Sequence, residues 1–171
     1  SGSHMVAANR HGWPRWPQIQ DAIMQHTSHA LFWHLKEAAI NTIFSIEKYI
    51  GKQKSIWDRE TKKEVALRKK ETDPKKKYAP VEMREWETRL VKACDTYATA
   101  LPEDEKTLNI LYKAAYLLYE HNDFNNANER FLKIIRGNPK SELAQFSVNI
   151  ILDSYALIEN WKDLNQVARE F

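Results

Sequence analysis

The sequence predicts an all-α protein in which long N-terminal helices are followed by an α-solenoid of helix pairs. Three observations predict it. Apolar residues recur at three- and four-residue steps through most of the chain, the period of a helix, and nowhere in sustained strand-like alternation. Four Gly and six Pro in 171 residues leave little material for tight turns, which favours long helices with few connections. The C-terminal half also repeats itself at a spacing of 37 residues.

The elements follow in order. Ser1-Gly2-Ser3-His4-Met5 reads as an expression-vector remnant and is set aside, leaving residues 6–80 as an N-terminal helical segment with a basic linker and 81–171 as the repeats, the last one truncated. Trp13-Pro14-Arg15-Trp16-Pro17 resists regular helix because each Pro biases the residue before it away from the α region, so a helix is predicted from just after Pro17. Its stripe runs Ile19, Ala22, Ile23, Leu31, Phe32, Leu35, Ala39, Ile43, Phe44, Ile46 and Ile50, and Gly51 is expected to stop or bend it. Lys52 to Glu71 reads as a solvated helix docked lightly through residues such as Ile56, Trp57, Val65 and Leu67. Asp73 to Pro80, with two prolines and a lysine triplet, breaks the pattern. Met83, Trp86, Leu90, Val91, Cys94, Tyr97 and Ala98 then form one stripe as far as Leu101-Pro102.

At the 37-residue spacing Leu90, Ala127 and Leu164 align, as do Cys94, Phe131 and Ala168, then Tyr97, Ile134 and Phe171. Pro102 matches Pro139, and Asp123-Phe124 falls on Asn160-Trp161. This pattern resembles the tetratricopeptide repeat, with a period of about 34 residues, a small residue followed four later by an aromatic, and a proline closing the second helix. Ala127, Phe131 and Pro139 occupy those positions. The resemblance implies that Leu111, Ala114, Ala115 and Leu118 face inward from the first helix and that Asn122-Asp123-Phe124 is the turn between helices. It implies too that Ala127 lets the helices approach closely, and that Val148, Leu152 and Tyr155 face inward in the second pair. The longer period, and Leu111, Ala115 and Leu118 where the family has Trp, Gly and Tyr, make this a divergent subtype. Tyr112-Lys113-Ala114-Ala115 and Pro139-Lys140-Ser141-Glu142-Leu143-Ala144 are similar to wording in bacterial cell-envelope repeat proteins, such as outer-membrane assembly lipoproteins and myxobacterial gliding-motility proteins.

Composition narrows the function classes. No run of 18 apolar residues occurs, so no membrane span is expected. One cysteine, Cys94, is neutral on redox compartment; the resemblance implies the bacterial periplasm or envelope, with the cytoplasm as the alternative. The net charge of +3 hides a local excess of five between Arg59 and Lys77, which leaves the rest at about −2. That segment could attract nucleic acid, although a lysine cluster beside prolines ordinarily makes a solvated linker.

In such an architecture the first helices line a groove, which points to Asn109, Tyr112, Tyr116, Tyr119 and Glu120, continued by Phe146, Asn149 and Asp153. Three tyrosines at i, i+4 and i+7 can stack on and hydrogen-bond a peptide. The competing expectation is that they pack under the N-terminal helices. His26 and His29 share a helix face but lack a full ligand set for a metal. Cys94, next to Asp95, is expected to be buried with a raised thiol pKa. No catalytic residue, metal or cofactor is expected. The function expected is a protein-binding scaffold, a fragment of a larger repeat protein with a protein or peptide partner and no small-molecule substrate. The alternative is a nucleic-acid-associated helical protein using residues 59–77.

Overall fold

A computed structural model of the chain describes residues 16–171, with side chains from residue 24 onward. The vector remnant, Trp13 and the Trp16 side chain lie outside the described residues. All regular structure among the described residues is helical. The helices are α1 (Trp16–Lys69), α2 (Pro74–Lys77), α3 (Glu85–Ala100), α4 (Thr107–Glu120), α5 (Phe124–Gly137), α6 (Glu142–Leu157) and α7 (Trp161–Glu170).

The expected stop at Gly51 is corrected: α1 runs through it to Lys69. A Cβ at Gly51 would meet nothing within 4 Å, so this glycine serves no turn and no close approach. The helix tolerates the entropic penalty because residues beyond it are held from outside. Arg84 pairs with Glu60 at 2.8 Å and lies 4.8 Å over the Trp57 ring, and the Tyr49 and Trp86 rings are 5.0 Å apart. Arg68 donates to the Ala79 carbonyl at 3.1 Å.

The chain divides into two units between Ile40 and Asn41. In the first, α1 exposes Met24, Leu31, Phe32, Trp33 and Leu35. In the second, each helix from α3 to α7 packs on the next in sequence. Leu90, Val91, Cys94 and Tyr97 of α3 are buried, as are Leu111, Ala114, Ala115 and Leu118 of α4 and Ala127, Phe131, Ile134 and Ile135 of α5. Ala127 is fully enclosed, and Gly137 ends α5 so close to Leu108 that a Cβ would stand 3.0 Å from its Cδ2.

The turns explain where the helices stop. Asn122 and Glu159, 37 residues apart, both take left-handed backbone, with φ of 60° and 56°. Each is followed by an N-cap, Asp123 accepting from the Asn126 N–H and Asn160 from the Asp163 N–H. Ser141 caps α6 through the Ala144 N–H at 3.1 Å. Phe124 and Trp161 open the two helices at matching positions, Phe124 buried and Trp161 57% exposed.

The stripe of α6 also differs from expectation. Its buried positions are Ala144, Ser147, Ile151 and Ser154, while Val148, Leu152 and Tyr155 are only half-buried. Small residues let α6 approach α5, and their hydroxyls are satisfied on the spot. Ser147 donates to the Leu143 carbonyl at 2.7 Å, and Ser154 accepts from the buried Asn128 amide at 2.9 Å.

Candidate protein-interaction face

The helical register of α4 sorts its residues by direction. Leu111, Ala114, Ala115 and Leu118 enter the core, while Lys113 and Glu120 turn toward α1. Glu47 meets Lys113 at 2.6 Å and Lys54 meets Glu120 at 3.6 Å, seven residues later on both helices, so this stretch of α1 runs parallel to α4. Phe44, half-exposed, lies 5.6 Å under the Lys113 ammonium.

Tyr112, Tyr116 and Tyr119 form a continuous run of rings along α4. The Tyr112 and Tyr116 centroids are 6.0 Å apart and nearly parallel, and those of Tyr116 and Tyr119 are also 6.0 Å apart. The strip is anchored at both ends: Tyr112 meets the buried Phe131 edge-on at 5.6 Å, and Tyr119 meets the buried Phe124 at 5.5 Å. Tyr116, between them, is 41% exposed. Residues 44–54 of α1 thus engage Lys113 and Glu120, beside the strip, while the rings lean on one another and on α5.

The neighbouring helix extends the face. Phe146 is 51% exposed, Asn149 and Asp153 are exposed, and Asn109 and Glu120 are exposed on α4. Tyr119 donates a hydrogen bond to an Asp153 carboxylate oxygen, joining α4 to α6 across the face. Burial raises the Tyr119 phenol, and Asp153 raises it further by accepting its proton as a hydrogen bond and by its negative charge. Tyr112 is also raised, first by burial and then by Tyr116.

Other candidates sit apart. Lys75 and Lys76 are exposed on α2, a single turn capped by Asp73, and the Lys77 ammonium lies 5.6 Å over its neighbour Tyr78. His26 and His29 are exposed on α1. Among the described residues no group of three His, Cys, Asp or Glu side chains could hold a metal ion. Cys94 is buried; burial first, and Asp95 second, push its thiol up to about 12. A cleft of about 330 Å³ lies between α1 and the α3–α4 side, with Trp57, Arg84, Glu87 and His121 in its wall. His121 Nε2 stands 3.2 Å from Glu87 Oε1, while Glu87 Oε2 accepts the Arg84 N–H at 2.8 Å and so caps the start of α3. The pair joins the end of α4 to the start of α3, while His121 Nδ1 is buried without a hydrogen-bond partner among the described residues.

The α1 side of the strip combines Phe44, part of the apolar stripe expected from the sequence, with Glu47 and Lys54, which were not anticipated. Its signal is the i, i+3, i+10 spacing, which places the three on one side of a helix once Gly51 no longer ends it. No helix is long and apolar enough to cross a membrane among the described residues. No protein-family model matches the chain, and no curated protein or solved structure matches it.

Proposed function

We propose that the chain is a protein-binding module built from divergent tetratricopeptide-like helix pairs, α4 with α5 and α6 with α7. Its open face, along α4 and α6, takes a segment of a partner protein. The matching left-handed turns at Asn122 and Glu159 support the helix-pair reading. One observation carries the binding reading: three tyrosine rings stand in a row, anchored on a buried core, with Tyr116 open between them. Aligned amphipathic rings at low entropic cost are what recognition surfaces use. The envelope or motility setting is a further proposal, supported by the sequence resemblance alone; fractionation of the native protein tests it.

The test of binding is an aromatic photo-crosslinking amino acid, which keeps a ring in the strip, placed at position 116 and, as control, at Lys133 on α5. Crosslinked partner species at 116 and none at 133 are expected in cells of the source organism. Identical patterns at both positions would overturn the reading. Tyr116→Ala serves as the loss-of-binding variant. Tyr112 and Tyr119 lean on buried Phe131 and Phe124, so changing all three would confound binding with folding.

A further inference from the structure

Three carboxylates flank the tyrosine strip, and they differ in their partners. Glu47 is neutralised by Lys113 at 2.6 Å and Glu120 by Lys54 at 3.6 Å. Asp153 has no cationic partner among the described residues and accepts only from the neutral Tyr119 hydroxyl. That hydrogen bond occupies Oδ2 and orients the carboxylate of this exposed residue, and Oδ1 takes no hydrogen bond among the described residues. The face therefore carries one uncompensated negative charge, held in place by Tyr119, whose ring centroid is 6.0 Å from that of the exposed Tyr116. This combination matches a guanidinium, which stacks flat on a ring while its edge donates to a carboxylate; an ammonium must give up more hydration to do the same.

Phe146, exposed and apolar, precedes Asp153 by seven residues, two turns of α6, which sets the two positions about 10 Å apart along the helix. A polyproline-II segment presents side chains i and i+3 on one side at about 9 Å, and its backbone carbonyls are unpaired. The Tyr112 and Tyr116 hydroxyls make no hydrogen bond among the described residues and can donate to such carbonyls. We infer that the face selects an extended, proline-containing protein segment with an arginine against Tyr116 and Asp153 and an apolar side chain three residues away against Phe146. The inference rests on the reading of α4 and α6 as a protein-binding face. It runs against a polyanion on this face, because Asp153 would repel phosphate.

Capped peptides built around Arg-Pro-Pro-Leu, Lys-Pro-Pro-Leu and Glu-Pro-Pro-Leu, titrated into the whole chain and followed by amide chemical shifts, test it. The arginine peptide is expected to saturate, the lysine peptide to bind several-fold more weakly and the glutamate peptide not to bind. Asp153→Asn keeps an acceptor for Tyr119 and is expected to weaken the arginine peptide about tenfold with the melting temperature little changed. Equal binding of the arginine and glutamate peptides, no effect of Asp153→Asn, or no saturation by any of the three overturns the arginine assignment. A single-stranded oligonucleotide that binds the face more tightly in Asp153→Asn than in wild type overturns it in favour of a nucleic acid. The glutamate peptide binding and being lost in Tyr116→Ala would overturn the arginine assignment while leaving the face a peptide site. Loss of the position-specific crosslink at 116 would remove that broader reading as well.

Discussion

The hydroxyl of Tyr119 on α4 donates to the carboxylate of Asp153, 34 residues further along on α6. One side-chain contact thus links α4 and α6, each packed on α5, across the open face and orients the carboxylate there. Tyr119→Phe removes the donor and keeps the ring against Phe124. It is expected to lower stability by about 0.5–1.5 kcal/mol at neutral pH, read from urea unfolding. Because the folded phenol is raised, the native state holds its proton more tightly than the unfolded one. The contribution is full below pH 10 and disappears as pH rises beyond it, so the wild-type advantage over Tyr119→Phe should shrink in alkali.

Glu87 behaves in the opposite sense. Burial alone would raise its carboxyl, but hydrogen bonds from His121 and the Arg84 N–H outweigh that and hold it below its ordinary 4.5. The stability it supplies is complete above that value and is lost as pH falls through the lowered one. Glu87→Gln is expected to cost roughly 1.5–3 kcal/mol at pH 7, with the gap to wild type closing in acid. Thermal melts across the acid range check it, and a gap that stays constant would show that the carboxylate charge contributes nothing.

Ala127 has no exposed surface at the α5 seam, so added volume has nowhere to go. Ala127→Leu is expected to destabilise by about 1–3 kcal/mol through overpacking, visible as a lower circular-dichroism melting temperature.

Gly51 sits inside α1 with open space where a Cβ would stand. Gly51→Ala is expected to stabilise by about 0.5–1 kcal/mol, because it removes backbone freedom from the unfolded chain without a clash. An unchanged or lowered melting temperature would mean that α1 is not continuous there.

The helical class and the inward stripes of α3, α4 and α5 were legible because Leu90, Cys94, Leu111, Leu118 and Phe131 combine apolar character with helical spacing. The α6 stripe was misread for a physical reason. Hydrophobicity picks Val148, Leu152 and Tyr155, whereas the seam is built on Ala144, Ser147, Ile151 and Ser154, three of them chosen by small size, with the two serine hydroxyls satisfied locally. The continuity of α1 was hidden because it depends on Arg84 reaching Glu60 and Trp57 from another element. The tyrosine spacing was plain from sequence. The pairing of Tyr119 with Asp153, and the flank made by Glu47 and Lys54, require the helices to be set side by side.

Cys94 has a practical consequence for anyone wishing to watch this chain at work. It is the one cysteine in the sequence, it is enclosed, and its thiol is pushed up to about 12, so at neutral pH almost none is present as the reactive thiolate. The native chain is therefore already a silent background for thiol chemistry. A cysteine introduced in place of Lys133, exposed on α5, would take a maleimide fluorophore or spin label alone, leaving the tyrosine strip whole and needing no second substitution to disturb the core around Leu90 and Phe131.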